Sequence, residues 1–454
     1  MVAVALVCGS QAQTTASGVV HPSVTVAADA SNSYALYLPS TYSAQKRWPL
    51  LLVFDPFGRG QTGVELFHRA AEKYGFIVVG SNNSRNFQDP SAAIRLLWAD
   101  VKERYAIDPR RIYTAGLSGG ARVAASIALA CKSCVAGVIA NGAGLPQGAT
   151  PAGPESGDWF LVAGTTDFNY PELLKLKDAL DAGNVASRLV IYDGPHNWMP
   201  PEFAERALQW LQLRAMVRGL AQPDQDFISE QFITRLKEAK NAQSSGDVLT
   251  AVREWREIAA DFHTLRNMKE TDNPAITLAD SEDYRKAKKN EKAMLELQDD
   301  VAKKAGNLVA GIIEQPDNRT AFFAQLQSAV NEAQREQKNA KAERRNAIAR
   351  GLASAFAFAA ETGQQDLLKK DYASAREVFQ AGETIEPESP WASYLLAVAC
   401  GRMGEKKQAL AALKRAVDKG VTDAKALDDP AFERLKDDKD FKEIQAKLAS
   451  NTRK

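Results

Sequence analysis

Cysteine and histidine are scarce here, four of each in 454 residues. So few cysteines exclude a disulfide-stapled scaffold. Cys131-Lys-Ser-Cys134 has no second ligand pair at matching spacing, which argues against a zinc module. No apolar run approaches the ~20 residues that a membrane-spanning helix needs, so no integral membrane segment is expected. An excess of one charge is also missing: 57 Lys and Arg face 56 Asp and Glu, a formal net charge of +1. That balance supplies no general field for nucleic acid or anionic lipid. The remainder, 45% hydrophobic and 25% charged, is the composition of a globular chain of two to four domains.

The chain opens on a short apolar stretch that ends at Cys8, and Ser10 and Ala12 put small residues at the two positions signal peptidase reads. Residues 1–12 are therefore expected to be a truncated secretory signal, cleaved after Ala12, and the protein to be periplasmic or extracellular. Cys8 lacks the small residue that precedes a lipidated cysteine. In an exported protein Cys131 and Cys134, which close a helical stretch, are expected to form a local disulfide. Cys400, on an apolar helical face, belongs to a core.

Residues 20–218 alternate β-rich runs with amphipathic stretches, the pattern of an α/β domain with a mostly parallel sheet. Strands are expected at 33–38, 49–55, 76–80, 111–116, 135–141, 159–163 and 187–192. Helical periodicity covers 63–74, 91–105, 119–130, 170–182 and 202–216. After Gly219 strand signals vanish. Residues 219–360 read as a charged helical region, with long solvated helices, or a hairpin, around 280–304 and 333–347 and a degenerate repeat at 232–262, where Ala239, Ala251 and Trp255 hold repeat-like places. In 361–454, Ala375 and Phe379 recur 34 residues on as Ala409 and Leu413, with small Ala397 between them. This spacing resembles the tetratricopeptide repeat, which implies a helical array able to hold a peptide or protein partner. Residues 428–444 resemble the helices that close such arrays.

The chemistry is concentrated at Ile107-Asp-Pro-Arg-Arg-Ile-Tyr-Thr-Ala-Gly-Leu-Ser118-Gly-Gly120. A strand runs into Gly-Leu-Ser-Gly-Gly, and a helix of small residues follows. This is the Gly-x-Ser-x-Gly nucleophile elbow in its strand–turn–helix setting, with Ser118 as nucleophile. A serine needs a base within reach. His21 precedes the first expected strand, His68 lies inside a helix and His263 falls in the helical half. His196, between the last strand and last helix of the α/β block, remains. Asp167, directly after the strand at 159–163, is the acid that would orient its ring, completing the order Ser, acid, His. Asp193, three residues before His196, is the rival and a natural brace for that turn.

These features resemble the small α/β-hydrolase esterases, the group of polyhydroxybutyrate-depolymerase-like and feruloyl-esterase-like enzymes. The resemblance is carried by Tyr37-Leu-Pro39, Ile107-Asp-Pro-Arg-Arg-Ile, the serine elbow and Gly194-Pro-His196, and covers roughly residues 33–215. It implies a serine hydrolase that cleaves carboxylic esters, small or polymeric, through an acyl-enzyme without metal or organic cofactor. Where those enzymes carry His-Gly in the oxyanion loop, this chain has Asp55-Pro56-Phe57-Gly58-Arg59. Proline has no N–H to give, so the donor must be Phe57 or Gly58, paired with Gly119. Asp55 either braces this loop or repels anionic substrates. Phe57, Arg59, Phe168, Trp198 and Met199 lie on loops at strand ends, where they contact substrate or pack beneath a short lid. Asn82 and Asn83 bond substrate or make a turn. Two other functions fit the same residues: a peptide-binding scaffold with a vestigial hydrolase block, and a peptidase of this fold.

Overall fold

The computed structural model describes residues 15–150, 153–266 and 272–451. The expected signal segment, residues 1–12, lies outside the described residues. Contacts divide the chain into two compact units that interleave in sequence. The first comprises Met1–Ala163, Glu172–Tyr192 and Asn197–Ala279; the second comprises Gly164–Pro171, Asp193–His196 and Asp280–Lys454.

The first unit is built on an eight-stranded sheet. Its strands are β1 (Val20–Val26), β2 (Asp29–Tyr37), β3 (Trp48–Phe54), β4 (Ile77–Ser81), β5 (Ile107–Leu117), β6 (Gly137–Asn141), β7 (Asp158–Gly164) and β8 (Ser187–Tyr192), in the order β1-β2-β4-β3-β5-β6-β7-β8. The pairings from β4 through β7 are parallel, while β2 is antiparallel to both β1 and β4. Every residue of β3, β4, β6 and β7 is buried, because helices cover the sheet. These are α1 (Gly60–Tyr74), α2 (Ser91–Arg104), α3 (Gly119–Ala130), α4 (Tyr170–Ala182) and α5 (Pro201–Val217). Fully buried Phe67, Phe76, Phe160 and Trp210 fill one core. The sequence places no strand at β1, whose Pro22 argues against one. The edge position tolerates proline, and the register shifts between His21 and Val24, around it.

The second unit is helical apart from the two short segments Gly164–Pro171 and Asp193–His196. It contains α9 (Glu282–Glu314), α10 (Arg319–Asn339) and α11 (Ala342–Lys369), then α12 (Tyr372–Ile385), α13 (Pro390–Met403), α14 (Lys406–Asp418) and α15 (Lys439–Asn451). The charged stretch 333–347 is not one helix: Ala340 and Lys341 are extended between α10 and α11, with neither glycine nor proline to mark the break. α12 and α14 begin 34 residues apart (372 and 406). Ala375, Phe379, Ala397, Ala409 and Leu413 are all buried in one core, sealed by Phe432, Phe441 and Ile444. At Gly363 a Cβ would meet the Phe379 ring at 2.4 Å, so glycine sets how closely α11 and α12 pack.

The compositional change at Gly219 falls inside the first unit, which continues through α6 (Gln225–Ser244), α7 (Val248–Phe262) and α8 (Asp272–Ala279). Ala239, Ala251 and Trp255 are buried where α6 and α7 meet. Beneath them lies a buried ion-pair network. Arg235 Nε donates to Glu254 at 3.0 Å and its Nη1 to Asp261 at 3.1 Å. Arg188 of β8 reaches Glu254 at 3.4 Å, and Trp210 Nε1 donates to Asp261 at 2.8 Å. Burial pushes the Glu254 carboxyl up, but Arg188 and Arg235 outweigh it and hold the group at about 2. Its contribution is therefore complete above the ordinary carboxylate range and is lost as pH falls towards 2. Arg235→Leu strands these carboxylates and should cost about 3–5 kcal/mol near neutrality. Denaturant unfolding should show that cost shrinking in acid, where the orphaned carboxylates protonate.

Candidate active site

At the end of β5 the chain turns into α3 through Ser118, whose φ of 53° and ψ of −122° are costly for a residue with a side chain. Close approach on either side enforces the turn. A Cβ on Gly116 would meet the Gly120 carbonyl carbon at 2.1 Å, and one on Gly120 would meet Phe54 O at 2.0 Å. Ser118 N donates to Asn141 O at 2.9 Å. The hydroxyl thus sits at the start of a helix, beside Gly119, whose N–H is in the first turn and has no intrahelical acceptor.

The loop after β3 is organised around Asp55. Its side chain is buried and accepts from Phe57 N at 2.9 Å, Arg59 Nε and Nη2 at 3.0 Å each, and Trp198 Nε1 at 2.9 Å. Gly58 N donates to Asp55 O at 3.0 Å. Both amides proposed from sequence as oxyanion donors are therefore occupied within the loop. Asp55 braces the loop, and its charge is matched by Arg59.

Among the other residues expected to touch substrate, Met199 is a core residue, 1% exposed. Trp198 packs edge-on against Phe67. Phe57 is exposed, with the Arg59 guanidinium 4.9 Å from its ring centroid. Asn82 bonds Pro22 O and Ser33 Oγ, and Asn83 bonds Ser33 N and Ser31 O, so both serve the turn and its neighbours in β1 and β2. Asn86 had no sequence signal. Its N–H donates to Pro56 O at 2.8 Å, and its side chain lies over the elbow, where a Cβ on Gly119 would meet Oδ1 at 1.8 Å.

The acid and base candidates lie on the two short segments of the second unit. His196 Nδ1 and Asp167 Oδ1 are 2.8 Å apart, with Asp167 fully buried and the His196 side chain 18% exposed. The Phe168 ring lies against the imidazole, centroids 4.2 Å apart. Asp193 accepts from Thr165 Oγ1 at 2.8 Å and Thr166 N donates to Gly194 O at 2.9 Å, so Asp193 ties the two segments together.

Two helical side chains reach the same segment. Gln298 Nε2 of α9 donates to Phe168 O at 2.9 Å, and Arg350 Nη1 of α11 donates to Thr165 O at 2.7 Å. Arg350 Nε donates to Gln298 Oε1 at 2.6 Å. A lone arginine in the small, apolar run Ala347-Ile-Ala-Arg350-Gly-Leu-Ala is a faint sequence signal; Gln298, in a polar stretch, carries none.

Within the first unit Asn141, fully buried at the end of β6, gathers the chain around the elbow. Its carbonyl takes Ser118 N, its Nδ2 donates to Asn197 O at 3.2 Å, and its Oδ1 accepts from Met199 N at 2.7 Å. Tyr192 Oη also donates to Asn197 O, at 3.2 Å. Cys131 and Cys134 are joined by a disulfide after α3, and Cys400 is buried with a free thiol.

No curated protein matches this sequence. The chain is similar to several solved structures. One is the Staphylococcus aureus fluorophosphonate-binding serine hydrolase F, at 15% identity and TM-score 0.34, with 40% of this chain and 92% of that one covered. A ferulic acid esterase has 17% identity and TM-score 0.35, covering 43% and 96%. An esterase from Mycobacterium marinum has 19% identity and TM-score 0.33, covering 42% and 81%. The tetratricopeptide-repeat family matches residues 366–428. The chain joins a mostly parallel eight-stranded sheet with flanking helices to a helical region that contains a tetratricopeptide repeat.

Proposed function

We infer that this protein is a serine hydrolase that cleaves carboxylic esters through an acyl-enzyme, with Ser118 as nucleophile, His196 as base and Asp167 as the acid that orients it. The observation that carries this reading is the Asp167–His196 hydrogen bond of 2.8 Å to a fully buried carboxylate. It commits Nδ1 to the acid and leaves Nε2 to take a proton. The strained Ser118 turn supports the nucleophile. Asn141 supports the pairing, because one residue bonds both Ser118 N and the carbonyl of Asn197, next in sequence to His196.

In the reaction, His196 Nε2 removes the Ser118 hydroxyl proton as Oγ attacks the ester carbonyl. The imidazolium returns that proton to the departing alcohol as the C–O bond breaks, leaving the acyl-serine. Water then attacks the acyl carbon, giving its proton to His196, which passes it to Ser118 Oγ as the acid leaves. Gly119 N–H faces the developing oxyanion. With Phe57 N and Gly58 N bonded to Asp55, Asn86 Nδ2, 3.1 Å from the place a Cβ on Gly119 would take, is the side-chain group left to serve as second donor. The Cys131–Cys134 bridge suits an exported protein, and the tetratricopeptide repeat suits a peptide or protein partner.

A fluorophosphonate probe should label the wild type and not Ser118→Ala; an unlabelled wild type would leave the scaffold reading in its place. His196→Ala should lower turnover of a short p-nitrophenyl ester roughly 10⁶-fold with the fold intact. Asn86→Ala should lower kcat on the order of 10²-fold or more, and an undiminished kcat would return the oxyanion role to the 57–58 loop.

A further inference from the structure

Asp167 sits between two backbone carbonyls that are each taken by a helical side chain. Thr165 O, two residues before it, accepts from Arg350, and Phe168 O, one residue after it, accepts from Gln298. The two donors are themselves joined, Arg350 Nε to Gln298 Oε1. They stand on different helices that cross closely: a Cβ on Gly351 would meet Gln298 O at 2.8 Å. Both side chains are almost fully buried. The Arg350 guanidinium also lies 4.6 Å from the Tyr170 ring centroid, three residues beyond the acid. Polar contacts made by a charged, buried fork to main-chain oxygens are directional and costly to break.

We propose that Arg350 and Gln298 are positioning residues for catalysis, holding the Asp167 segment of the second unit so that its carboxylate meets His196 Nδ1. This rests on the hydrolase reading above. Neither side chain touches the reacting atoms. Their effect passes through the carbonyls at 165 and 168 to Asp167 Oδ1, which also accepts from Asn169 N at 2.8 Å, and the Arg350 charge acts on the same carboxylate directly. Asp167 Oδ2 is buried without a hydrogen bond among the described residues, so the carboxylate has only its Oδ1 contacts and its backbone to fix its direction. A carboxylate held by so few bonds moves when its backbone moves. The clamp also gives α9 and α11 a part in catalysis separate from any partner of the repeats.

The test compares full-length wild type, Gln298→Leu, Arg350→Lys, Arg350→Met and the Gln298→Leu/Arg350→Met double variant on a p-nitrophenyl ester across pH, with thermal unfolding in parallel. A displaced acid should lower kcat on the order of 10- to 100-fold and leave KM nearly unchanged, because the lost interaction acts in the transition state. It should also move the basic group seen in kcat/KM to lower pH, since the imidazolium loses its aligned partner. Lysine keeps the charge but lacks the fork, so Arg350→Lys should resemble Arg350→Met, and the double variant should lose less than the product of the single losses. Wild-type kcat and an unshifted profile in folded Gln298→Leu and Arg350→Lys would overturn the proposal. Should Arg350→Met not fold, those two variants still decide. An inert, unlabelled wild type would instead remove the hydrolase reading, and this proposal with it.

Discussion

A turn whose glycines leave no room for a side chain on either side of Ser118 governs the first unit. Gly116 and Gly120 approach each other and the Phe54 carbonyl so closely that a methyl group at either would overlap backbone. That contact fixes the relation between β3, β5 and α3 and forces Ser118 into a strained conformation. Such strain persists only when the surroundings over-determine it. Here they do: the turn is bonded to Asn141, and Asn141 is bonded in turn to Asn197 and Met199. One buried amide thus connects the end of β5, the end of β6 and the chain that follows β8.

Charge is handled in opposite ways in different parts of the molecule. Asp55 is buried at the rim of the elbow, and its oxygens are given over to Arg59, Trp198 and the loop amides. A carboxylate so fully bonded holds a loop and leaves little negative potential beside Ser118. Asp167 is equally buried but keeps one oxygen for His196 and the Asn169 amide and, among the described residues, has no hydrogen bond to the other. The number of donors around each acid separates the brace from the candidate catalyst, although both follow a buried strand.

Features legible in the sequence were those that local pattern encodes. Buried parallel strands appear as apolar runs, the elbow as glycines flanking a serine, and the repeat as a 34-residue recurrence of small and bulky residues. β1 was not legible, because its proline reads as a break and only the edge position excuses it. The turn at Ala340–Lys341 has no breaker residue. Met199 and Trp198 sit on a loop in sequence, yet one is packed in the core and the other is bonded to Asp55. Asn86, Asn141, Gln298 and Arg350 matter through partners 23 to 185 residues away, and no periodicity reports such distances.

That the 164–171 and 193–196 segments pack with the helices of the second unit has an energetic consequence. A short loop held only by its own turns opens at little cost, and its side chains sample many positions. Cross-bonding through Thr165, Asp193 and Gly194, with Arg350 and Gln298 on the outer carbonyls, ties the stability of these segments to that of α9 and α11. Opening the 164–171 segment then strands a buried guanidinium and a buried amide, at about 1–3 kcal/mol for each group left unsatisfied. The helices therefore do more than extend the chain: they lower the entropy of the backbone that carries Asp167 and His196, a form of pre-organisation of the hydrogen-bonded pair.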